Sequence, residues 1–495
     1  MTETRRKLFG IFNPRPLFIA PLYLIAGILL AVLRPPFVGV WFCCLALSAL
    51  YLYAFKILST NSFVIVLICL CLSLTTFVYP VYLNSKLCHD SSAQAEGRIL
   101  EAYTTENGYE YLLDDLTVNG ESYAGKMRLI TSVSFESGER IYIKGTLHTA
   151  SFNMNIYTLR RISRKEYYSF SISEIHSVFY QGLPFREKLL DEAKRGLQIN
   201  ADYQTASFAM SLLFGKSKDL ESISAYRETS LAHLFAVSGL HVGTLTGALY
   251  FILTKVFRRR RGSIGIFATL TVSLGFYAFL CDFTPSVVRA LVMTLIAALS
   301  KPLKFEPDKP SVIGASAIIS LAINPLWLFD VSFLLSYAAI LGIVLLKPIF
   351  KRGLAREKES RIAVTAATCL AVTVAVTPVN AYFFGQASPL SLPLSLIFIP
   401  FVSFLFICFA LVLPFVGLSL SVYPLIPLSL GVKLCDYVVN FLDKTDAYVK
   451  VEYGVLPLIL WFIALFLASD LCLIKRRKIP AALCGFGAAI ALLFV

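Results

Sequence analysis

Charge is what this chain has least of: Asp, Glu, Lys and Arg make up 15% of its 495 residues, against 57% hydrophobic. Soluble domains carry about 25% charged residues, so a water-soluble globular chain is excluded. Histidine is scarce as well. The five residues, His89, His148, His176, His233 and His241, are too scattered for a multi-histidine metal cluster. No GxxxxGK[ST] loop, HExxH or CxxC pair occurs, which removes the signatures of a phosphate-loop ATPase, a zinc protease and a dithiol redox centre. Ser238 lacks the flanking glycines of a nucleophile elbow. No catalytic residue, metal or cofactor is therefore expected. Nearly all of the 11 cysteines lie in apolar runs, where a thiol acts as a small hydrophobe. Cys88 stands alone in the large polar region, so no disulfide forms within it.

What is abundant is apolar sequence in runs of membrane-crossing length, about 20 residues for roughly 30 Å of hydrocarbon. Spans fall near 16–33, 37–55, 62–84, 231–256, 263–281, 284–302, 310–328, 331–348, 362–384, 389–415, 420–441, 456–474 and 479–495, those near 420–441 and 479–495 being weak. The first is an anchor and not a removable signal: Pro14, Pro16 and Pro21 precede or interrupt it and no small-residue cleavage pattern follows. The net charge of +14 reads as an orientation signal. With a cytoplasmic N-terminus, Arg5-Arg6-Lys7, Arg258 to Arg261, Lys301 with Lys304, the loop from Lys347 to Arg361, and Lys475 to Lys478 all land on the cytoplasmic face.

Between the third and fourth spans the composition turns polar, and the odd number of preceding spans puts this region outside the cytoplasm. Runs rich in β-formers at Gly97–Thr104, Tyr109–Val118, Tyr123–Thr131 and Arg140–His148 are separated by Asn107-Gly108, Asn119-Gly120 and Ser137-Gly138, and a fifth lies at Lys165–Ile175. The expected fold is a small barrel of the OB type, with a sandwich as the alternative. Its tyrosines either fill the sheet or stack against nucleic-acid bases. Acidic residues dominate the early strands, whereas Arg160, Arg161, Arg164 and Lys165 form a basic run that is a candidate DNA contact or a solvated loop. Leu183 to Gln198 reads as an amphipathic helix, and Ala201–Phe214 as a re-entrant or interfacial one. The fold class is thus a polytopic α-helical membrane protein with an extracytoplasmic small β-barrel. Its parts are 1–84 (transmembrane helices), 85–180 (OB-like domain), 181–230 (interfacial helices) and 231–495 (transmembrane bundle).

Polar groups inside the apolar runs are the candidate functional residues, because lipid offers them no partner. His233 and His241 flank Ser238-Gly239, and their spacing of eight residues prevents joint chelation on a straight helix, being about 80° and 12 Å apart. A break at Ser238-Gly239 would open a polar path; simple helix packing is the other reading. Arg289 sits several residues into a span, so it pairs with a carboxylate, Asp282 or Asp330 being candidates, or meets phosphate.

At these residues the chain resembles the ComEC-type competence family. The resemblance rests on Ser211-Leu-Leu-Phe-Gly-Lys-Ser through Tyr226-Arg227 to His233-Leu-Phe-Ala-Val-Ser-Gly-Leu-His-Val-Gly243, on Pro285 to Met293, on Asp330 to Gly342, and on Thr377 to Gln386 followed by Ile399-Pro400. It implies a channel of the bacterial inner membrane that takes single-stranded DNA from an external OB-like domain to the cytoplasm. Arg227, His233, Ser238, Gly239, His241, Asp282, Arg289 and Asp330 are the polar candidates for the DNA path. Phe152-Asn-Met-Asn-Ile-Tyr157 only loosely follows the family's pattern near the end of the external domain.

The partners implied are the DNA strand, the bilayer, a DNA receptor, and a cytoplasmic helicase or single-strand-binding protein that supplies direction. A secondary transporter of a small anionic solute is the alternative function. Many relatives carry a metallo-β-lactamase-like domain, whereas this sequence has no His-x-His-x-Asp-His run. Strand degradation is therefore expected of a separate nuclease. Purified protein incubated with duplex DNA and a divalent metal should leave the DNA intact; cleavage abolished by a substitution in this chain would overturn that expectation.

Overall fold

The computed structural model describes residues 16–33, 38–54, 58–86, 91–105, 108–123, 125–149, 156–217, 220, 222–229, 231, 234–235, 237–258, 263–354, 361–387, 391–416, 422–443, 449–450, 454–468, 483 and 485. They fall into two compact units, one built from Pro16–Glu192 with Ala317–Asp330, the other from Ala193–Ser316 with Val331–Val495.

The first unit contains helices Pro16–Leu33, Val38–Ala54 and Thr60–Lys86, then a barrel. Strand β1 (Ser91–Thr105) is long enough to serve two neighbours. Its first half pairs with β5 (Glu139–Thr149) and its second with β2 (Gly108–Val118), and register shifts between Glu96 and Arg98 and between Ile99 and Glu101 bend it from one to the other. That change of partner closes the sheet. Around it the order is β1, β2, β4 (Lys126–Thr131), β6 (Glu166–Tyr180), β5 and back to β1, with β4 and β6 parallel. This is the five-stranded Greek-key barrel of the OB type. The short β3 (Glu121–Tyr123) only extends the hairpin from β2, whose turn uses Asn119 and Gly120 at φ 52° and 87°.

Alternation fills the interior with Ile99, Leu113, Met127, Leu129, Ile141 and Phe170. Tyr111 is buried among them, and its hydroxyl accepts from the Phe135 amide at 2.7 Å and donates to the Val133 carbonyl at 3.1 Å. Burial lifts this phenol above its usual pKa, so it remains a neutral donor. On the outside, arginines meet acids: Arg98 with Asp114, Arg128 with Glu110 and Glu166, and Arg140 with Glu96 and Asp115.

The second unit is helical. Phe185–Asn200 runs into it and is followed by Tyr203–Phe214, in which every residue from Thr205 on is buried. Gly215 ends that helix in the left-handed conformation at φ 75°. Among the described residues, four helices are long and apolar enough to cross a membrane, at Pro285–Leu303, Ala363–Phe384, Pro393–Phe415 and Tyr423–Leu442. Large apolar side chains such as Val272, Phe404, Leu430 and Leu434 face outward. An outer surface of that kind is untenable in water and ordinary against lipid.

Two expected spans change shape. The helix expected over 231–256 begins only at Gly239 and ends in a wide π-turn at Ile252–Val256. The one expected over 310–328 stops at Ile323, because Asn324 caps a short 3-10 turn at Pro325–Phe329. The expected span at 479–495 lies outside the described residues except for Leu483 and Gly485. Helices Val331–Leu345 and Arg361–Phe384 cross closely at Gly342, where a Cβ would come within 2.5 Å of the Ala371 carbonyl.

Replacing Tyr111 by Phe leaves the buried Phe135 amide without its acceptor, a loss of about 1–3 kcal/mol. Hydrogen exchange at the Phe135 amide should accelerate accordingly; unchanged protection would show the hydroxyl to be dispensable.

Candidate functional site

Within the helical unit the polar candidates converge on the start of the Gly239–Phe251 helix. Ser238 is extended, with φ −123° and ψ 168°, and its hydroxyl accepts from the Leu240 amide at 3.2 Å. The reciprocal bond comes from His241, whose Nδ1 accepts from the Ser238 amide at 3.3 Å. Together they form a capping box in which histidine takes the place usual for Glu or Gln. Accepting at Nδ1 leaves that nitrogen unprotonated. The ring is 2% exposed and stacks on Phe406 with centroids 4.7 Å apart. His241 therefore sits in packed contacts and holds the helix start. His233, and the side chain of Arg227, lie outside the described residues.

The helix Pro285–Leu303 begins beside this point. The Ser286 hydroxyl donates to the Val237 carbonyl at 2.5 Å, tying the two helix starts together. Arg289, one turn further on, is 5% exposed. Its Nη1 contacts the Met293 sulfur at 3.6 Å and its guanidinium lies 5.7 Å from the Tyr337 ring centroid. Nε has no acceptor. A Cβ on Gly239 would fall 2.5 Å from Arg289 Nη2, so glycine is what admits the guanidinium to the helix start. Burying an unpaired charge costs several kcal/mol, whereas a desolvated cation–π contact returns about 2.

The expected carboxylate partner is missing: among the described residues of this unit, no Asp or Glu lies within ion-pair distance of Arg289. Asp282 is exposed in the tight turn before the helix, where it and Phe283 take left-handed φ values of 55° and 46°. Asp330, in the barrel's unit, is 1% exposed and bonded to Arg164 at 3.0 Å. The basic run is thus partly committed. Arg161 donates to the Tyr168 carbonyl at 3.3 Å, and burial together with the charge of Arg128 holds its pKa below the usual arginine value. The Arg160 carbonyl accepts from Ser163, and Lys165 is exposed at φ 63°.

One group escaped the sequence reading altogether. Asp436, on the Val422–Asp443 helix, is 2% exposed and accepts from Gln204 Nε2 at 2.5 Å, Ser222 Oγ at 2.9 Å and Tyr226 Oη at 2.9 Å. The donors come from three places in the 203–226 segment and the acceptor from a helix more than 200 residues later, so one carboxylate fastens that segment to a membrane helix. The only signal in the sequence was an acid inside an apolar span. Tyr226 also packs edge-on against Phe235.

These features define a multi-pass membrane protein with an OB-type barrel and, in its helical unit, a buried arginine that no carboxylate among the described residues meets. The chain belongs to the competence-protein family, which matches residues 212–478, more than half its length. It is 30% identical to ComE operon protein 3 of Bacillus subtilis (strain 168) over 185 residues, 37% of this chain and 23% of that protein. It is 29% identical to an uncharacterized protein of Aquifex aeolicus (strain VF5) over 213 residues, 42% of this chain and 47% of that one. The chain thus spans less than half the length of either relative in these matches. No solved structure matches.

Replacing Asp436 by Ala leaves three buried donors without an acceptor, at about 1–3 kcal/mol for each. The detergent-solubilised protein should then unfold at a clearly lower temperature, with Asn in between. Equal melting of all three forms would deny the carboxylate its fastening role.

Proposed function

We propose that this protein carries single-stranded DNA across the bacterial cytoplasmic membrane during natural transformation. The observation that carries the reading is membership of the competence family over 212–478, the region that holds a buried guanidinium with no carboxylate beside it among the described residues. A polyanion needs positive groups that are not already neutralised, and sequence-independent transport needs contacts to phosphates more than to bases.

In this reading the N-terminus is cytoplasmic and the barrel lies outside, the orientation that the basic clusters favour. The barrel receives the strand with loops and faces of the OB type. Lys165 is its candidate cation from the basic run, Arg164 being held by Asp330. The chain carries out no bond-breaking chemistry of its own. A DNA receptor and a nuclease act before it, and a helicase or single-strand-binding protein draws the strand inward.

Export or import of a small anionic solute is the competing reading, favoured by the same Arg289. Entry of radiolabelled DNA and flux of labelled phosphate, compared in cells with and without the gene, separate the two. Loss of DNA entry with unchanged phosphate flux is expected; the reverse pattern would sink the DNA reading.

A further inference from the structure

We infer that Arg289 and the first turn of the Gly239–Phe251 helix form a binding site for one phosphate-type oxyanion. If the reading above holds, that oxyanion is a phosphodiester of the moving strand. The start of a helix carries partial positive charge and so favours anions; at this one Ser238 and His241 already take the Leu240 and Ser238 amides, which leaves the field of the helix end to act on a ligand. Here a full positive charge has been brought to the same place. Nη2 of Arg289 lies 2.5 Å from where a Gly239 Cβ would be, and the next residue to reach that point is Ala290, through its Cβ at 3.7 Å. The Ser286 bond to the Val237 carbonyl holds the two elements in this arrangement.

Two positive features facing one another in a buried position repel, unless an anion lies between them. Nothing in the described unit supplies one. The arginine is 95% buried on the complement of its 5% exposure, its Nε is unpartnered, and its contacts are a thioether sulfur and an aromatic ring. Its planar fork of N–H donors gives no hydrogen bond to any oxygen among the described residues, and oxygens of a phosphate are what such a fork fits. At the start of the same helix, the buried Thr284 hydroxyl also lacks a partner. Gly239 has a purpose in this arrangement: with no side chain, it lets both guanidinium and ligand reach the backbone.

The test uses the full-length protein in phosphatidylcholine nanodiscs. Binding of a short fluorescein-labelled oligothymidylate is measured against its uncharged methylphosphonate counterpart and in competition with inorganic phosphate. The phosphodiester should bind, the methylphosphonate should not, and phosphate should compete. Arg289→Gln should weaken oligonucleotide binding about ten- to a hundred-fold and make the dependence of log affinity on log salt shallower by about 0.7. Arg289→Lys, which keeps the charge without the fork, should restore the slope but only part of the affinity. Gly239→Ala should weaken binding with every charge still present.

Equal binding of the two backbones by the unmodified protein overturns the site, and needs no variant to fold. So does undiminished binding by a folded Arg289→Gln protein. Displacement of the oligonucleotide by added phosphatidylglycerol supports the oxyanion site but assigns it to lipid headgroups. Binding as expected, together with normal DNA entry in cells lacking the gene, leaves the site standing and removes the transport reading.

Discussion

Hydrocarbon offers no hydrogen bond, so a polar group in the helical unit must find its partner within the protein. Several of its buried groups do so over long range, although the Ser207, Thr284 and Ser336 hydroxyls have no partner among the described residues. Asp436 collects three donors, the Tyr277 hydroxyl reaches the Leu213 carbonyl at 2.8 Å, and Trp461 Nε1 reaches the Val374 carbonyl at 3.1 Å. His241 is spent on the backbone of its own helix start. Against that background Arg289 stands apart, because it is the one buried guanidinium of the described unit and no oxygen answers it.

The barrel follows a different logic. Its strands carry both signs of charge, and the arginines of β1, β4 and β5 are matched to carboxylates across neighbouring strands. Such pairs, half exposed and screened by salt, add little stability. The strands keep an acidic excess, nine Asp and Glu against five Lys and Arg, whereas basic residues gather in the β5–β6 connection at Arg160, Arg161, Arg164 and Lys165.

Much of this architecture was legible in the residues. The strands could be placed because side-chain alternation and Asn-Gly or Ser-Gly turns are local signals, and Asn119 and Gly120 adopt the positive φ values those residues permit. Helix starts were harder. The apolar run over 231–256 showed a candidate break at Ser238-Gly239, but not that the helix begins there, where Ser238 caps it. Partnerships were the least legible. Asp330 lies 166 residues from Arg164, and Asp436 lies 210 residues from Tyr226; spacing along the chain carries no trace of either. The depth of Arg289 in an apolar run is a local signal, whereas its contacts with Met293, Tyr337 and the Gly239 helix start arise only on folding.

The bond between Arg164 and Asp330 reaches beyond electrostatics. With the Asn324 amide donating to the Ser163 carbonyl at 2.9 Å, it joins the β5–β6 connection to a stretch that the chain reaches only after several membrane helices. The barrel's folding unit is therefore discontinuous in sequence. Translation would complete the strands long before residues 317–330 emerge, so the nascent barrel would wait with one cation unmatched until the later segment arrives. An excised barrel is held permanently at that earlier stage.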